Sequence, residues 1–220
     1  MYLSTLISAA VLLLTAPLAL AKSGRATYYG GNLNGGMCSF STLPSLPSNI
    51  YGTALTGASW ANSAHCGQCL SVRGPNGKRI TAMVVDQCPE CPKDGLDLFE
   101  NAFGTIAQKA QGIVQVDWNW VKCPISGPLK VHLKSGVSPY WFSAQIVNAN
   151  KAIREIQIST NGGKTWQRNL KRMEYNFFEN PSGFGSNSVD VRVVSVDGDR
   201  VVVKNVAVRS DNVVAAQRNF

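Results

Sequence analysis

The positions of its six cysteines constrain the fold of this 220-residue chain more than any other feature. Two of the cysteine pairs have C-x-x-C spacing, and eighteen residues separate Cys69 from Cys88. Such spacing is typical of a four-cysteine zinc site, whereas an even number of cysteines in one half of a chain indicates a disulfide framework. A redox-active C-x-x-C is a third reading. All six precede residue 124: Cys38, Cys66, Cys69, Cys88, Cys91 and Cys123.

The N-terminal segment favours disulfides over zinc. It reads "MYLSTLISAAVLLLTAPLALA" and ends in Ala19-Leu20-Ala21, the small-x-small form of a signal-peptidase site. Thr15 and Pro17 interrupt the apolar run, which disfavours a membrane span. We therefore predict a signal peptide over 1–21 and an extracellular, secreted protein whose thiols pair, with no metal and no cofactor. Spacing alone leaves the pairing open.

A segment rich in proline and glycine after the last cysteine predicts a boundary between two domains. "PISGPL" follows Cys123, so we expect a first domain over 22–124, a linker over 125–127, a second domain over 128–210 and an unassigned tail over 211–220. The first domain has short strand patterns, with "GPNGK" as a hairpin turn and one helix near 99–109 that Gly112 ends. The second alternates as an antiparallel sandwich would. The predicted fold class is all-β.

The charge is positive and concentrated in the second half. Residues 22–127 carry 8 basic and 6 acidic side chains, whereas residues 128–220 carry 13 and 7. The basic residues are scattered among strand positions, which argues against a nucleic-acid-binding arm. An anionic polymer surface and a merely solvated face both fit this pattern.

Two aspartates are the candidate acids of a site. Asp86 ends the apolar strand "AMVV", and Asp97 lies just ahead of the expected helix, where it could also act as an N-cap or first-turn carboxylate. A glycoside hydrolase needs two carboxyl groups that flank the scissile bond. The segment 22–81 contains no acid, so a distant base has few candidates: Glu90, Asp94, Glu100 and Asp117.

Eight motifs in order resemble those of a microbial, bacterial-type expansin. The resemblance runs from Ser23 to Arg209 and rests on "GRATYYGG", "GGMC", "HCGQC", "VVDQCPEC", "GLDLFENAFGTIA", "GIVQVDWNWVKCPISG" and "SPYWFSAQIVN" with "KRMEYNFF". It implies a six-stranded double-psi β-barrel, related to a family of endoglucanases, followed by an immunoglobulin-like, cellulose-binding β-sandwich. It also implies a monomer that loosens plant cell walls without hydrolysis, with cellulose and matrix glycans as partners and no nucleic acid or membrane partner.

The resemblance maps onto particular residues of the barrel. It implies an activity groove formed by Thr27, Asp86 and Asp97, with Tyr29 and Glu90 lining it. In the related endoglucanases the catalytic base stands four residues after the matching threonine, where this chain has Gly31. The cysteines resemble those of plant expansins and endoglucanases, because many bacterial expansins lack them and carry an aromatic residue at the position of Cys88. By that analogy the pairs are Cys38–Cys66, Cys69–Cys123 and Cys88–Cys91.

Aromatic side chains of the second domain are candidates for sugar stacking. Flat pyranose faces stack on exposed aromatic rings, and a linear glycan calls for a row of them. Tyr140, Trp141 and Tyr175 map onto the cellulose-binding row of the family, with Lys134 beside it as a donor to sugar hydroxyls. The alternative is packing, since one of two adjacent strand residues faces the core.

Two other functions compete with non-hydrolytic loosening. A β-glucanase or a peptidoglycan lytic transglycosylase could use the same barrel, with peptidoglycan as a further partner, because one acid suffices for some lytic chemistry. A wall-binding protein without loosening activity is the third possibility.

Overall fold

The first half of the chain forms a barrel. The computed structural model describes residues 21–220, so the predicted signal peptide lies, apart from Ala21, outside the described residues. A short helix, α1 (Glu100–Ile106), and two 3-10 turns, Gly57–Ser59 and Lys109–Gln111, accompany the strands. The strands are β1 (Lys22–Tyr29), β2 (Tyr51–Thr56), β3 (Cys69–Arg73), β4 (Arg79–Cys88), β5 (Leu96–Phe99) and β6 (Val114–Val121).

The six strands close on themselves in the order β1-β5-β2-β4-β3-β6. The β1–β5 and β2–β4 pairs are parallel, and the remaining pairs are antiparallel. Alternation drives this closure: in β6, Val114, Val116 and Trp118 are buried while the residues between them are exposed. The predicted six-stranded barrel is confirmed, and so is the hairpin that joins β3 to β4.

Asp97 lies on a strand rather than at a helix cap. The helix begins at Glu100, and Phe99 precedes it without a side-chain capping bond. Leu96 and Leu98 are buried and alternate with Asp97, so the segment follows the two-residue period of a strand. The reading of Asp97 as an N-cap or first-turn carboxylate is therefore wrong.

Three disulfides staple the barrel half. They are Cys38–Cys66, Cys69–Cys123 and Cys88–Cys91, the pairing that the resemblance implies. All six cysteines are engaged, which rules out the four-thiolate zinc reading. The last pair closes the short loop that carries Glu90 between β4 and β5.

The second half consists of two antiparallel sheets that share one core. The sheets have the orders β10-β11-β8-β7-β14 and β13-β12-β9. Leu133 and Phe142 of the larger sheet pack in one cluster with Ile156 and Val191 of the smaller. The all-β class is confirmed, while the immunoglobulin-like topology stays a prediction. The strands are β7 (Lys130–Leu133), β8 (Phe142–Val147), β9 (Ile153–Ser159), β10 (Lys171–Arg172), β11 (Phe178–Asn180), β12 (Ser188–Ser195), β13 (Arg200–Ala207) and β14 (Val213–Ala215).

The C-terminal residues, which the sequence left unassigned, belong to the larger sheet. β14 pairs with β7, and Ala216 is buried in the shared core. Farther on, the Asn219 side chain donates to the carbonyls of Gly127 and Asn148, at 2.7 and 2.8 Å. The tail is thereby bound to Gly127, in the connection between the halves, and to Asn148, directly after β8.

Hydrogen bonds join the barrel to the larger sheet. The side chains of Gln145 and Asn176 both donate to the carbonyl of Cys38, at 2.8 and 3.2 Å. Ser63 donates to the carbonyl of Met173 at 2.7 Å. Within residues 21–220, no helix has the length and apolar character needed to cross a bilayer.

Candidate functional site

Thr27 and Asp97 meet because β1 and β5 run parallel in register. The two residues are direct partners in that pairing. Their side chains therefore emerge on the same side of the barrel wall, and the Thr27 hydroxyl donates to Asp97 Oδ1 at 2.5 Å. The two predicted groove residues come from segments seventy positions apart, and the barrel topology brings them together.

The surroundings of Asp97 favour its protonated form. Burial raises the pKa of Asp97, and the negative charges of Glu90 and Asp86 raise it further. The hydrogen bond from Thr27 acts in the opposite direction, because it stabilises the carboxylate. Asp97 therefore holds a proton at a higher pH than an ordinary aspartate and can donate it to an oxygen of a bound ligand.

Asp86 has a different role, as an anchored acceptor. Its Oδ1 receives the backbone amides of Met37 at 2.6 Å and Gln87 at 2.8 Å. The Tyr29 hydroxyl donates to Oδ2 at 3.2 Å. Burial, the charge of Asp86 and this bond strongly raise the pKa of Tyr29, so the phenol keeps its proton. Thr27, Tyr29, Asp86 and Asp97 together form what we call the groove centre.

Aromatic rings fill the space beside Gly31. A Cβ added to Gly31 would lie 2.3 Å from Phe99 Cε1 and 2.4 Å from Tyr29 Cζ. The same ring passes close to Gly52, where an added Cβ would lie 2.5 Å from Phe99 Cε2. The rings of Tyr29 and Phe99 pack edge to face with centroids 5.6 Å apart. A side chain at the position that bears the base in related endoglucanases would therefore require the rings of Tyr29 and Phe99 to move.

Glu90 acts on the groove centre through its charge. It is exposed on the loop closed by Cys88–Cys91, and its carboxylate contributes to the raised pKa of Asp97. The Thr56 hydroxyl donates to the carbonyl of Cys91 at 2.8 Å and ties this loop to β2. Glu90 is thus a neighbour of Asp97 rather than a hydrogen-bonded partner.

Tyr140 and Trp141 lie in a turn that the backbone fixes tightly. Tyr140 is 79% exposed, whereas Trp141 is half-buried and packs on the shared core. The carbonyl of Pro139 accepts the amides of Phe184 and Gly185, at 2.9 and 2.8 Å. Trp141 thus packs on the core as the alternative reading expected, while sugar stacking by this pair stays a prediction.

Tyr175 and Lys134 are linked through Glu179, which the sequence reasoning missed. The Tyr175 hydroxyl donates to Glu179 Oε1 at 2.7 Å, and Lys134 Nζ lies 3.8 Å from the same oxygen. Lys134 Nζ also lies 4.3 Å from the centre of the Tyr175 ring, a cation–π distance. Burial and Glu179 raise the pKa of Tyr175 to about 12. In the sequence, Glu179 is the last acidic residue of "KRMEYNFFEN", and that position was the signal that could have identified it.

One loop connects the groove centre to this aromatic group. The amide of Met37 binds Asp86, and the carbonyl of the next residue, Cys38, accepts Gln145 and Asn176 of the second half. We call Lys134, Tyr140, Trp141 and Tyr175 the platform. The groove centre and the platform thus belong to parts of the fold that contact each other. The neighbouring residues Met37 and Cys38 link the two parts.

Comparisons with known proteins agree with this arrangement. The profile of the Barwin family matches residues 49–123, which contain five of the six barrel strands. Expansin-like protein 5 of Dictyostelium discoideum is 30% identical over 202 residues, covering 89% of this chain and 83% of the relative. Expansin-YoaJ of Bacillus subtilis (strain 168) is 32% identical over 179 residues, covering 80% of this chain and 74% of the relative.

Solved structures give the same result across both halves. The apo expansin of Clavibacter michiganensis superimposes with a TM-score of 0.80 at 28% identity, covering 91% of this chain and 98% of that chain. A point variant of the Clavibacter protein, solved in complex with cellohexaose, has a TM-score of 0.81 with the same identity and coverage. These relatives span the barrel and the paired sheets alike. The chain therefore belongs to the expansin family, as a two-domain member of the microbial type.

Proposed function

We infer that this protein binds cellulose and loosens plant cell walls by disrupting non-covalent polysaccharide contacts, without hydrolysis. The observation that carries the proposal is that Gly31 has no side chain and that two rings occupy the space a side chain there would need. Asp97 supplies one carboxyl that can carry a proton, but Tyr29 and Phe99 fill the space of the second. Both inverting and retaining hydrolysis need two carboxyl groups placed across the bond.

In this proposal the groove centre competes for the hydroxyls of a glycan chain. Asp97 presents a donor when it is protonated, and the hydroxyl oxygens of Thr27 and Tyr29, whose protons point to Asp97 and Asp86, present acceptors. Each hydrogen bond is worth about 0.5–1.5 kcal/mol net, comparable to one bond between neighbouring polysaccharide chains. Several exchanged together would free a short stretch of chain from its neighbour without breaking a covalent bond.

The platform holds the protein on the polymer surface. Tyr140 offers a largely exposed ring, and the ring of Tyr175 is fixed by Glu179 and Lys134. Stacking on pyranose faces gains from burial of apolar C–H surface, about 25 cal/mol per Å² removed from water. The similar Clavibacter structure with bound cellohexaose supports this choice of ligand class. We assign the loosening domain to 22–124, the linker to 125–127 and the binding domain to 128–210.

The remaining assignments follow from the same reading. Three disulfides fit a secreted, extracellular protein, since such bonds persist in oxidising compartments. Cellulose and matrix glycans are the proposed partners of a monomer.

A second candidate is a lytic enzyme that needs only one acid. The raised pKa of Asp97 favours it, because a general acid works best when it stays protonated near the working pH. Release of soluble sugar or muropeptide that depends on Asp97 would establish this alternative.

Two variants separate loosening from binding. We expect Asp97→Asn to abolish loosening and leave cellulose retention intact, while Asp117→Asn, a matched change of charge at an exposed barrel site, alters neither. Replacing Tyr140, Trp141 and Tyr175 by Ala should abolish retention, and Trp166→Ala, an aromatic beside the smaller sheet, should not. A fully active Asp97→Asn variant, or unchanged retention in the triple variant, would refute the corresponding assignment.

A further inference from the structure

One loop of the barrel half supplies a hydrogen bond to Asp86. We call residues 35–41 the groove loop. It lies directly against β4, where a Cβ added to Gly36 would lie 2.5 Å from the carbonyl oxygen of Val85 and 3.3 Å from the Cβ of Asp86. From this position the amide of Met37 donates to Asp86 Oδ1 at 2.6 Å. The groove loop must stay against β4 for this hydrogen bond to form.

The second half holds the groove loop at Cys38, the residue after Met37. The carbonyl of Cys38 accepts Gln145 Nε2 at 2.8 Å and Asn176 Nδ2 at 3.2 Å. Gln145 is fully buried and Asn176 is 5% exposed, so water competes little for these bonds. On the barrel side, the amide of Cys38 donates to the carbonyl of Val85 at 3.2 Å. The peptide groups before and after Cys38 are thus fixed by different halves of the chain.

The disulfide Cys38–Cys66 leads from the groove loop to a turn that the second half also holds. In that turn, residues 61–63 all have a positive φ, between 47° and 62°. This left-handed conformation is unfavourable for most residues other than glycine, so surrounding contacts must maintain it. One such contact is the hydroxyl of Ser63, which donates to the carbonyl of Met173 at 2.7 Å. The second half therefore holds both of the segments that this disulfide joins.

Both attachments involve the turn that presents Tyr175. Residues 173–177 connect β10 to β11, and within this turn the amide of Asn176 donates to the carbonyl of Met173 at 3.1 Å. Met173 receives the hydroxyl of Ser63, and Asn176 holds the groove loop. A residue of the platform and two attachment points of the barrel thus share one short turn. The part of the fold that we assign to polymer binding is therefore also placed to fix the groove loop.

We propose that Gln145 and Asn176 are positioning residues of the groove centre. By holding the carbonyl of Cys38, they keep the Met37 amide on Asp86. The inference rests on the proposed function and deepens it, because the second half then acts on the groove centre as well as on the polymer surface. Loss of either donor weakens loosening and leaves cellulose retention intact.

Two variants remove one donor each. Asn176→Gly is compatible with the backbone, since Asn176 has a φ of 65°, which glycine adopts readily. Gln145→Met keeps a side chain of similar length on β8 and removes the amide. In each variant, hydrogen exchange of the Met37 amide, measured by NMR, should be about two- to tenfold faster, the effect of one net hydrogen bond. Loosening of cellulose paper per bound molecule should fall by about the same factor, with unchanged retention on cellulose.

Two controls separate positioning from a general loss of stability. Asn205→Gly makes the same replacement at an exposed asparagine of β13 with a φ of 55°, and it should change neither exchange nor loosening. The Val84 amide is the internal reference within each variant. It lies in the buried wall of the barrel and donates to the carbonyl of Gln68 at 2.9 Å, so its exchange reports wider unfolding.

Met37 exchange at the wild-type rate, or accelerated only as much as Val84 exchange, would overturn the positioning role. Faster Met37 exchange with unchanged loosening would overturn it as well. Asn176→Gly decides the test alone if Gln145→Met fails to fold. A wild-type protein that leaves the paper unweakened would instead count against the proposed function, and the exchange rates would still show whether the two side chains hold the groove loop.

Discussion

Replacing Gly31 by Asp tests why the catalytic base is missing. Either the sequence simply has glycine at that position, or the fold also disfavours a carboxyl group there. The substitution supplies the carboxyl at the position where related endoglucanases have theirs. Its Cβ, however, would lie 2.3 Å from Phe99 Cε1, 2.4 Å from Tyr29 Cζ and 2.6 Å from the Tyr29 hydroxyl oxygen. Contacts below 3.0 Å force the neighbours to move.

Moving the rings has a cost. A displaced Tyr29 loses its hydrogen bond to Asp86, and a displaced Phe99 loses its edge-to-face contact with Tyr29. Overpacking of this kind costs about 1–3 kcal/mol. We therefore expect Gly31→Asp to lower the free energy of unfolding by about 1–3 kcal/mol and to release no more sugar from cellulose than the wild type.

Gly30→Asp provides a matched control for this experiment. It adds the same side chain one residue away, where a Cβ meets no atom within 4 Å. Urea unfolding of both variants gives the stability difference, and a reducing-sugar assay gives the activity. If Gly31→Asp proved as stable as Gly30→Asp, or if it hydrolysed cellulose, the argument that the rings exclude the base would be wrong.

The other predictions concern the titration of the groove and the disulfides. Glu90→Gln removes a negative charge and should lower the pKa of Asp97, whereas Thr27→Val removes a hydrogen bond to the carboxylate and should raise that pKa. NMR titration of the Asp97 carboxyl measures both shifts. Two shifts of the same sign would contradict the assignment. Cys69–Cys123 joins residues 54 apart in the sequence, and Cys88–Cys91 joins residues 3 apart. Removing the first should lower the free energy of unfolding by about 4 kcal/mol and removing the second by about 2 kcal/mol, because the longer loop gains more entropy when the chain unfolds. Thermal denaturation of the two double-serine variants measures this order, and a reversed order would refute the entropic account.

Sequence reasoning succeeded where one local pattern decides the structure. Alternation located most strands, and motif order identified the family. It failed at Asp97, where the short segment "LDLF" adjoins a helix pattern and its strand character depends on pairing with β1. It also missed β2, in which five consecutive residues are buried, so that alternation gives no signal.

Tertiary contacts explain what no sequence pattern could supply. The crowding at position 31 requires Phe99, on β5, to meet Gly31 and Tyr29 in space. The carbonyl of Cys38 likewise receives the side chains of Gln145 and Asn176, which lie more than a hundred residues away in the sequence. Such sites depend on distances between segments, and one sequence does not contain those distances.

The most direct test of the central claim measures mechanical weakening and soluble sugar on the same cellulose sample. Strips of cellulose paper are extended under load with the wild type, Asp97→Asn or Asp117→Asn, and the bathing solution is assayed for reducing sugar. Our account predicts that the wild type and Asp117→Asn weaken the paper while sugar stays at the level of buffer alone, and that Asp97→Asn weakens it no more than buffer. Sugar released in proportion to the weakening, and lost together with it in Asp97→Asn, would show that the groove centre cuts glycan chains and would contradict the account.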